Sequence, residues 1–278
     1  MFSAVAVLFA GLLHATWNAL AKAVPDRHAA FGVMGIAQSL ICLPLLFFVA
    51  PPAAGAWPYW GVSIALQLVY MLLLIRCYEL GDFGQVYPIA RGSAPLLVAI
   101  VAGLQGERLA LLQVFGLAAT CGGLAALALA GAGRRRMPSR QAVTAAVLTG
   151  ATIAAYTVVD GLGVRESGTA LGYAVWMFAV EGVLTLAVMA AVRGRAIVPA
   201  LRDRWRVSAV GGTISMVAYG LVLWAQTRSA LAEVAALRET GILWGALIGA
   251  LFFSERLGRR RIVAAGIVTV GVVLLSAR

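Results

Sequence analysis

Charge is what this 278-residue sequence has least of. Asp, Glu, Lys and Arg together make up 12% of it and apolar residues 62%, against about 25% and about 45–50% in ordinary soluble domains. A water-soluble globular fold is excluded. Histidine is scarcer still, with only His14 and His28. There is no HExxH, no paired acidic motif and no Cys/His ligand set, so the chain offers neither a metal centre nor the nucleophile and base of a membrane enzyme. It has no Gly-rich phosphate loop, which rules out ATP-driven work by this chain alone. Cys42, Cys77 and Cys121 lie in or beside apolar segments without disulfide or metal spacing and read as packing residues. No cofactor is expected.

What the chain has is apolar length. About 20 apolar residues are needed to cross a bilayer as a helix, and ten such stretches follow one another, near 2–21, 29–50, 60–80, 85–104, 110–130, 142–162, 170–192, 207–227, 232–253 and 262–277. The expected fold is all-α and polytopic, with mean hydropathy +0.93 and almost no chain left for a soluble domain. The first stretch lacks a basic leader, and His14, Trp17 and Asn18 interrupt its centre, so it reads as a retained helix rather than a secretory signal.

The net charge of +11 is unevenly placed. Lys22, Arg27, Arg134, Arg135, Arg136, Arg140, Arg193, Arg195, Arg202, Arg204, Arg206, Arg256, Arg259, Arg260 and Arg261 all fall in or beside loops that follow odd-numbered helices, fifteen of the twenty-two basic residues. Basic loops stay cytoplasmic. The odd loops are therefore expected inside and both termini outside, with the basic runs facing anionic lipid rather than nucleic acid.

The chain also repeats itself. Shifting the second half by 148 positions lays WAQTRSALAEVAALRETGILWGALIGALFFSERL, 224–257, on RCYELGDFGQVYPIARGSAPLLVAIVAGLQGERL, 76–109, and both end in Glu-Arg-Leu. The expected organisation is a first five-helix repeat over 1–133, a basic linker over 134–140 and a second repeat over 141–278. Five is odd, so the second half enters the membrane from the opposite side. Such inverted repeats suit a transporter whose halves rock about a site at the midplane.

The doubled pattern APLLVAIVAGLQGERL and GILWGALIGALFFSERL, with the ten-helix layout and the opening LLHATWNALAKA, resembles the EamA-type transporters of the drug/metabolite transporter superfamily. The resemblance spans nearly the whole chain. It implies a membrane carrier of a small-molecule substrate such as an amino acid, drug, vitamin or nucleotide sugar. It also implies a central cavity lined by the first, third, fourth, sixth, eighth and ninth helices, with the fifth and tenth outside.

A charged group at the bilayer centre costs about 2.5–3.5 kcal/mol on the mildest scale, so it should face protein or water. On the first helix His14, Trp17, Asn18 and Lys22 share one face, Lys22 at the end where it can snorkel. Thr152, Tyr156 and Asp160 do so on the sixth, Gln67 and Tyr70 with Tyr78 on the third, and Tyr87 with Arg91 on the fourth, while the eighth offers Tyr219, Trp224 and Gln226. The tyrosines line a cavity or pack with a satisfied hydroxyl; both readings stand at this point. Trp57, Tyr59 and Trp60 read as interfacial anchors. Glu107 and Glu255 suit the start of the helix that follows each. Gly116, Gly122, Gly123, Gly266 and Gly271 on the fifth and tenth helices, like the GxxxG of Gly245 and Gly249, suit close packing. Pro95 is a candidate bend.

Arg238 and Glu239 stand side by side in VAALRETGILWGALIGALFF, and the shift lays Glu239 on Arg91. If the fourth and ninth helices meet, these two charges can pair, either as a fixed lock or as a couple that parts for substrate. Arg238 is left to reach headgroups, a carbonyl or an anionic substrate group. Asp160, Glu181 and Glu239 are the candidate proton-coupling carboxylates, because a carboxylate in an apolar site can exchange protons near neutral pH. Asp160, near a helix end, can instead be simply hydrated. Glu181 aligns roughly with Gln38 when the seventh helix is laid on the second.

The expected activity is secondary transport of small organic solutes across the inner membrane, in the direction of export, by a monomer or homodimer among membrane lipids. A lipid or lipid-linked sugar flippase of the same fold is the alternative.

Overall fold

The computed structural model describes residues 2–22, 24–80, 83–104, 106, 110–131, 139–202, 205–241, 243–244 and 259–276. Among them are ten principal helices: α1 (Phe2–Lys22), α2 (Arg27–Leu45), α3 (Trp57–Leu80), α4 (Phe83–Leu104), α5 (Leu111–Gly131), α6 (Arg140–Glu166), α7 (Ala170–Arg193), α8 (Trp205–Gln226), α9 (Leu231–Arg238) and α10 (Arg259–Ser276). No strand occurs among the described residues. A short helix at Ile197–Arg202 rides in the α7–α8 connection, where the sequence pattern gave only a basic loop.

α1, α2, α3, α6, α7 and α8 contain spans long and apolar enough to cross a membrane. In α4, α5 and α10 the apolar run is shorter, Ile89–Val101, Leu111–Gly123 and Ile262–Gly271. The chain is a multi-pass membrane protein. Starts are fixed where loop side chains take up free amide hydrogens: Asp26 accepts from Ala29 N at 3.1 Å, Ser139 from Ala142 N at 3.1 Å and Thr169 from Gly172 N at 3.0 Å.

The expected ninth helix, 232–253, is interrupted: residues 241 and 243–244 are helical again, and 242 and 245–253 lie outside the described residues. Its first part, α9, runs to Arg238, and Glu239 and Thr240 form a turn in which the Thr240 hydroxyl donates to the Leu237 carbonyl at 2.7 Å. A threonine that bonds back to the preceding turn competes with the helical ladder. The break thus falls at the charged pair itself. Gly245 and Gly249, Glu107, Glu255 and linker residues 132–138 lie outside the described residues.

The helices pair as α2 with α7, α5 with α10, α3 and α4 with α6, and α1 with α8 and α9. Several of these pairs touch at glycine. A Cβ on Gly35 would lie 2.7 Å from the Gly182 carbonyl oxygen, and one on Gly123 would lie 2.6 Å from Val268 Cγ2. Small residues let membrane helices come this close and gain dispersion and weak backbone contacts. Gly271 meets Thr120 and Gly116 in the same way, but Gly122 and Gly266 face open space and take no part in the packing expected of them.

Candidate functional site

A cavity of about 620 Å³, counting the space at its mouth, opens between the helices. α1 contributes His14 and Trp17, α2 contributes Phe31, Met34, Gly35 and Gln38, and α3 contributes Gln67, Tyr70 and Met71. Tyr156 comes from α6, Phe178 and Glu181 from α7, and Ser215 and Tyr219 from α8. The wall therefore includes two helices beyond those the resemblance implies. Among the described residues α2 and α7 line it, and none from α4 or α9 does.

The spacing along α1 explains its share. Trp17 follows His14 by three residues, so the rings meet edge to face at 5.0 Å, and the indole Nε1 donates to His14 Nδ1 at 3.2 Å. That bond leaves Nδ1 as the acceptor and places the imidazole hydrogen on Nε2. Asn18 takes no place in the wall, because its amide donates to the His14 carbonyl one turn back at 2.8 Å. Across the cavity, Tyr70 and Tyr156 meet at 5.5 Å, Tyr156 and Tyr219 at 5.9 Å and Phe178 and Tyr219 at 6.4 Å, all edge to face. Such T-shaped pairs are the favoured aromatic geometry and stiffen the wall.

Behind Tyr219 lies Asp160, fully buried. It accepts hydrogen bonds from Tyr219 at 2.5 Å, Tyr173 at 3.0 Å and Gln67 at 3.4 Å. Burial without partners would be costly, and the three donors offset it. The expectation of a hydrated Asp160 near a helix end is thereby corrected, since its water is replaced by two phenols and an amide.

A second polar centre lies outside the wall, beyond Tyr156. Arg91 Nε stands 2.9 Å from Glu239 Oε2, and Arg238 Nε stands 3.6 Å from Glu239 Oε1; all three residues are 2% exposed or less. The charges 148 positions apart do pair. Arg238 is drawn to the same carboxylate: it shares Glu239, donates to Thr157 Oγ1 at 3.3 Å and lies 5.9 Å from the Tyr156 ring. One carboxylate thus sits between two guanidinium groups, an arrangement from which no single member can be removed without leaving a buried charge uncompensated.

Glu181 is 2% exposed, and its Oε2 accepts no hydrogen bond from the described residues. Trp224 points away from the cavity: it packs in the cluster joining α1, α8, α9 and α10, and the Arg228 guanidinium covers its ring at 4.4 Å. The side chains of Tyr78, Tyr87 and Lys22 lie outside the described residues. Thr152 bonds to the carbonyls of Leu148 and Thr149 on its own helix. Sequence reasoning missed Phe31, Met34, Phe178 and Tyr173. Gln38 and Glu181, polar groups in the middle of α2 and α7, were the signal that those helices face the site.

Comparison with known proteins agrees with this architecture. A solved crystal structure shares the fold, with a TM-score of 0.78 at 16% identity, covering 99% of this chain and 98% of that one. No curated protein matches the sequence. Residues 140–277 match the EamA-like transporter family. Over residues 140–277 the chain therefore belongs to the EamA-like transporter family, and its helical, multi-pass architecture with a cavity between the helices fits that family.

Proposed function

We propose that this protein is a secondary transporter that carries small organic solutes across the inner membrane by alternating access, in the direction of export, and that it is built from two inverted five-helix repeats, 1–133 and 141–278, joined at 134–140. One observation carries the reading: the cavity wall is doubled. Phe31 and Met34 on α2 stand opposite Phe178 and Glu181 on α7, both pairs differing by 147 in number. Gln67 and Met71 on α3 correspond in the same way to Ser215 and Tyr219 on α8, at a difference of 148. The helix contacts are doubled too: α3–α6 is matched by α8–α1, α4–α6 by α9–α1 and α2–α8 by α7–α3. At the α5–α10 seam, Gly123 against Val268 and Ala264 is matched by Gly271 against Thr120 and Gly116, each residue moved by 148. A site on the axis between two such halves can be exposed to either side by rocking one against the other.

In this reading His14, Trp17, Tyr70, Tyr156 and Tyr219 contact substrate. Asp160, joined to the wall through Tyr219, and Glu181 and Glu239 are the groups through which proton movement is coupled. Arg91, Glu239 and Arg238 hold α4, α6 and α9 in register and part or persist as the halves move. Uptake by proteoliposomes of amino acids, nucleosides, vitamins and cationic drugs, with and without a pH gradient, tests the reading. Saturable uptake of one class is expected. Lipid scrambling with no uptake of any compound would sink it in favour of a flippase. Transport that survives Arg91→Gln and Glu239→Gln, singly and together, would remove the gating role.

A further inference from the structure

The cavity contains a carboxylate oxygen that no donor among the described residues serves. Glu181 lines it, is almost wholly buried, and leaves Oε2 without a hydrogen-bond donor among the described residues. Native proteins leave few buried polar atoms unmatched, and each one asks for an explanation. Four donors in the same wall are committed elsewhere: Gln38 Nε2 donates to the Gly212 carbonyl, Gln67 Nε2 to Ser63 and Asp160, the Tyr219 hydroxyl to Asp160, and the Trp17 indole to His14. Arg91 and Arg238 stand outside the wall against Glu239. An anionic ligand would find a carboxylate in the wall and no guanidinium or ammonium group among the described lining residues. A cationic one would find a carboxylate and aromatic rings, whose negative π faces attract cations, most strongly where water is excluded.

A metal ion fits poorly, since no group of three His, Cys, Asp or Glu side chains able to hold one occurs among the described residues. The rings of Trp17, Tyr70, Tyr156, Phe178 and Tyr219 instead suit an apolar or aromatic body. We propose that the cavity is a binding site for organic cations, with an ammonium or similar positive centre against the Glu181 carboxylate and the body of the molecule among these rings. This rests on the transporter reading above and names the chemistry of its cargo.

The test compares two molecules of one shape. Benzyltrimethylammonium and its uncharged carbon isostere, neopentylbenzene, are titrated by calorimetry into the full-length protein in detergent, with benzenesulfonate as the anionic probe. The wild type is expected to prefer the cation over both others. Glu181→Gln should reduce cation affinity about tenfold or more, the worth of a charge-assisted contact, and leave the neutral isostere unchanged. Unchanged binding of the isostere shows that the variant's cavity is intact, and Glu181→Asp, which keeps the charge, should retain the preference. The proposal is overturned if no cation binds, if the anion is preferred, or if Glu181→Gln binds the cation as the wild type does. The two readings fail separately. Binding without uptake by proteoliposomes would remove transport and leave the cation site, whereas uptake indifferent to charge would remove the cation site and leave transport.

Discussion

Glu181 and Glu239 are the same side chain, both essentially withdrawn from solvent, and they live in opposite circumstances. Glu239 lies between Arg91 and Arg238; Glu181 faces a cavity and has no donor for Oε2 among the described residues. The first kind of carboxylate is consumed in holding helices together. The second is left by the fold for something that arrives. Asp160 is intermediate, bound by phenols and an amide rather than by full charges, and tied to the wall through Tyr219.

The contrast is broken most severely at Glu239. Glu239→Ala leaves two buried guanidinium groups without their carboxylate, and should cost about 3–5 kcal/mol, read as a large drop in melting temperature or in yield of folded protein. Replacing Arg91, Arg238 and Glu239 together by apolar residues of similar size should recover much of that loss, and the failure of such a variant to outperform Glu239→Ala would show that the cluster does more than balance charge. Gly182→Ala comes next. A methyl group there meets the Gly35 carbonyl, and overpacking of this kind costs about 1–3 kcal/mol, measured by thermal unfolding in detergent.

Asp160→Asn should cost about 1–3 kcal/mol, because it returns a weaker acceptor to Tyr173 and Tyr219. Glu181→Gln is expected to do the opposite of Glu239→Ala and leave the melting temperature unchanged or raised, since it removes the charge that the fold does not satisfy. A destabilisation like that of Glu239→Ala would erase the distinction between the two glutamates.

The smallest effect belongs to Asp26. Burial raises its pKa, but the Ala29 amide and the Arg193 guanidinium, 3.0 Å away, outweigh that and hold the carboxyl below its ordinary value. A depressed carboxylate stabilises the fold at pH values above its unfolded pKa, about 3.9, and that contribution is lost as pH falls through the folded value. Asp26→Asn should cost about 1 kcal/mol or less near neutrality, and should flatten the acid side of a stability profile taken against pH.

The helices were legible because lipid demands length: each apolar run needed to span a bilayer is a long and simple signal. The pairing of Arg91 with Glu239 was legible for a related reason, since the repeat placed two opposite charges at equivalent positions and both had to avoid lipid. Two other features were hidden. The end of α9 at Arg238 depends on Thr240 bonding back to Leu237, a local competition that an apolar window averages away. The place of Phe31, Met34 and Phe178 in the wall depends on how far α2 and α7 rotate, and their apolar side chains read equally well as lipid-facing. Tyr173 reaches Asp160 across the α6–α7 turn, where sequence distance gives no warning.

The meeting of Gly35 with Gly182 has a consequence for the cavity itself. Both helices line it, through Phe31, Met34 and Gln38 on one and Phe178 and Glu181 on the other, and Gly35 is at once wall and contact point. The distance between those two sides is therefore fixed by the thinnest spacer a protein can place between helices, a pair of hydrogen atoms where other residues carry side chains. The gauge of the site, and with it the girth of what can lie across from Glu181, is set by what these two positions lack.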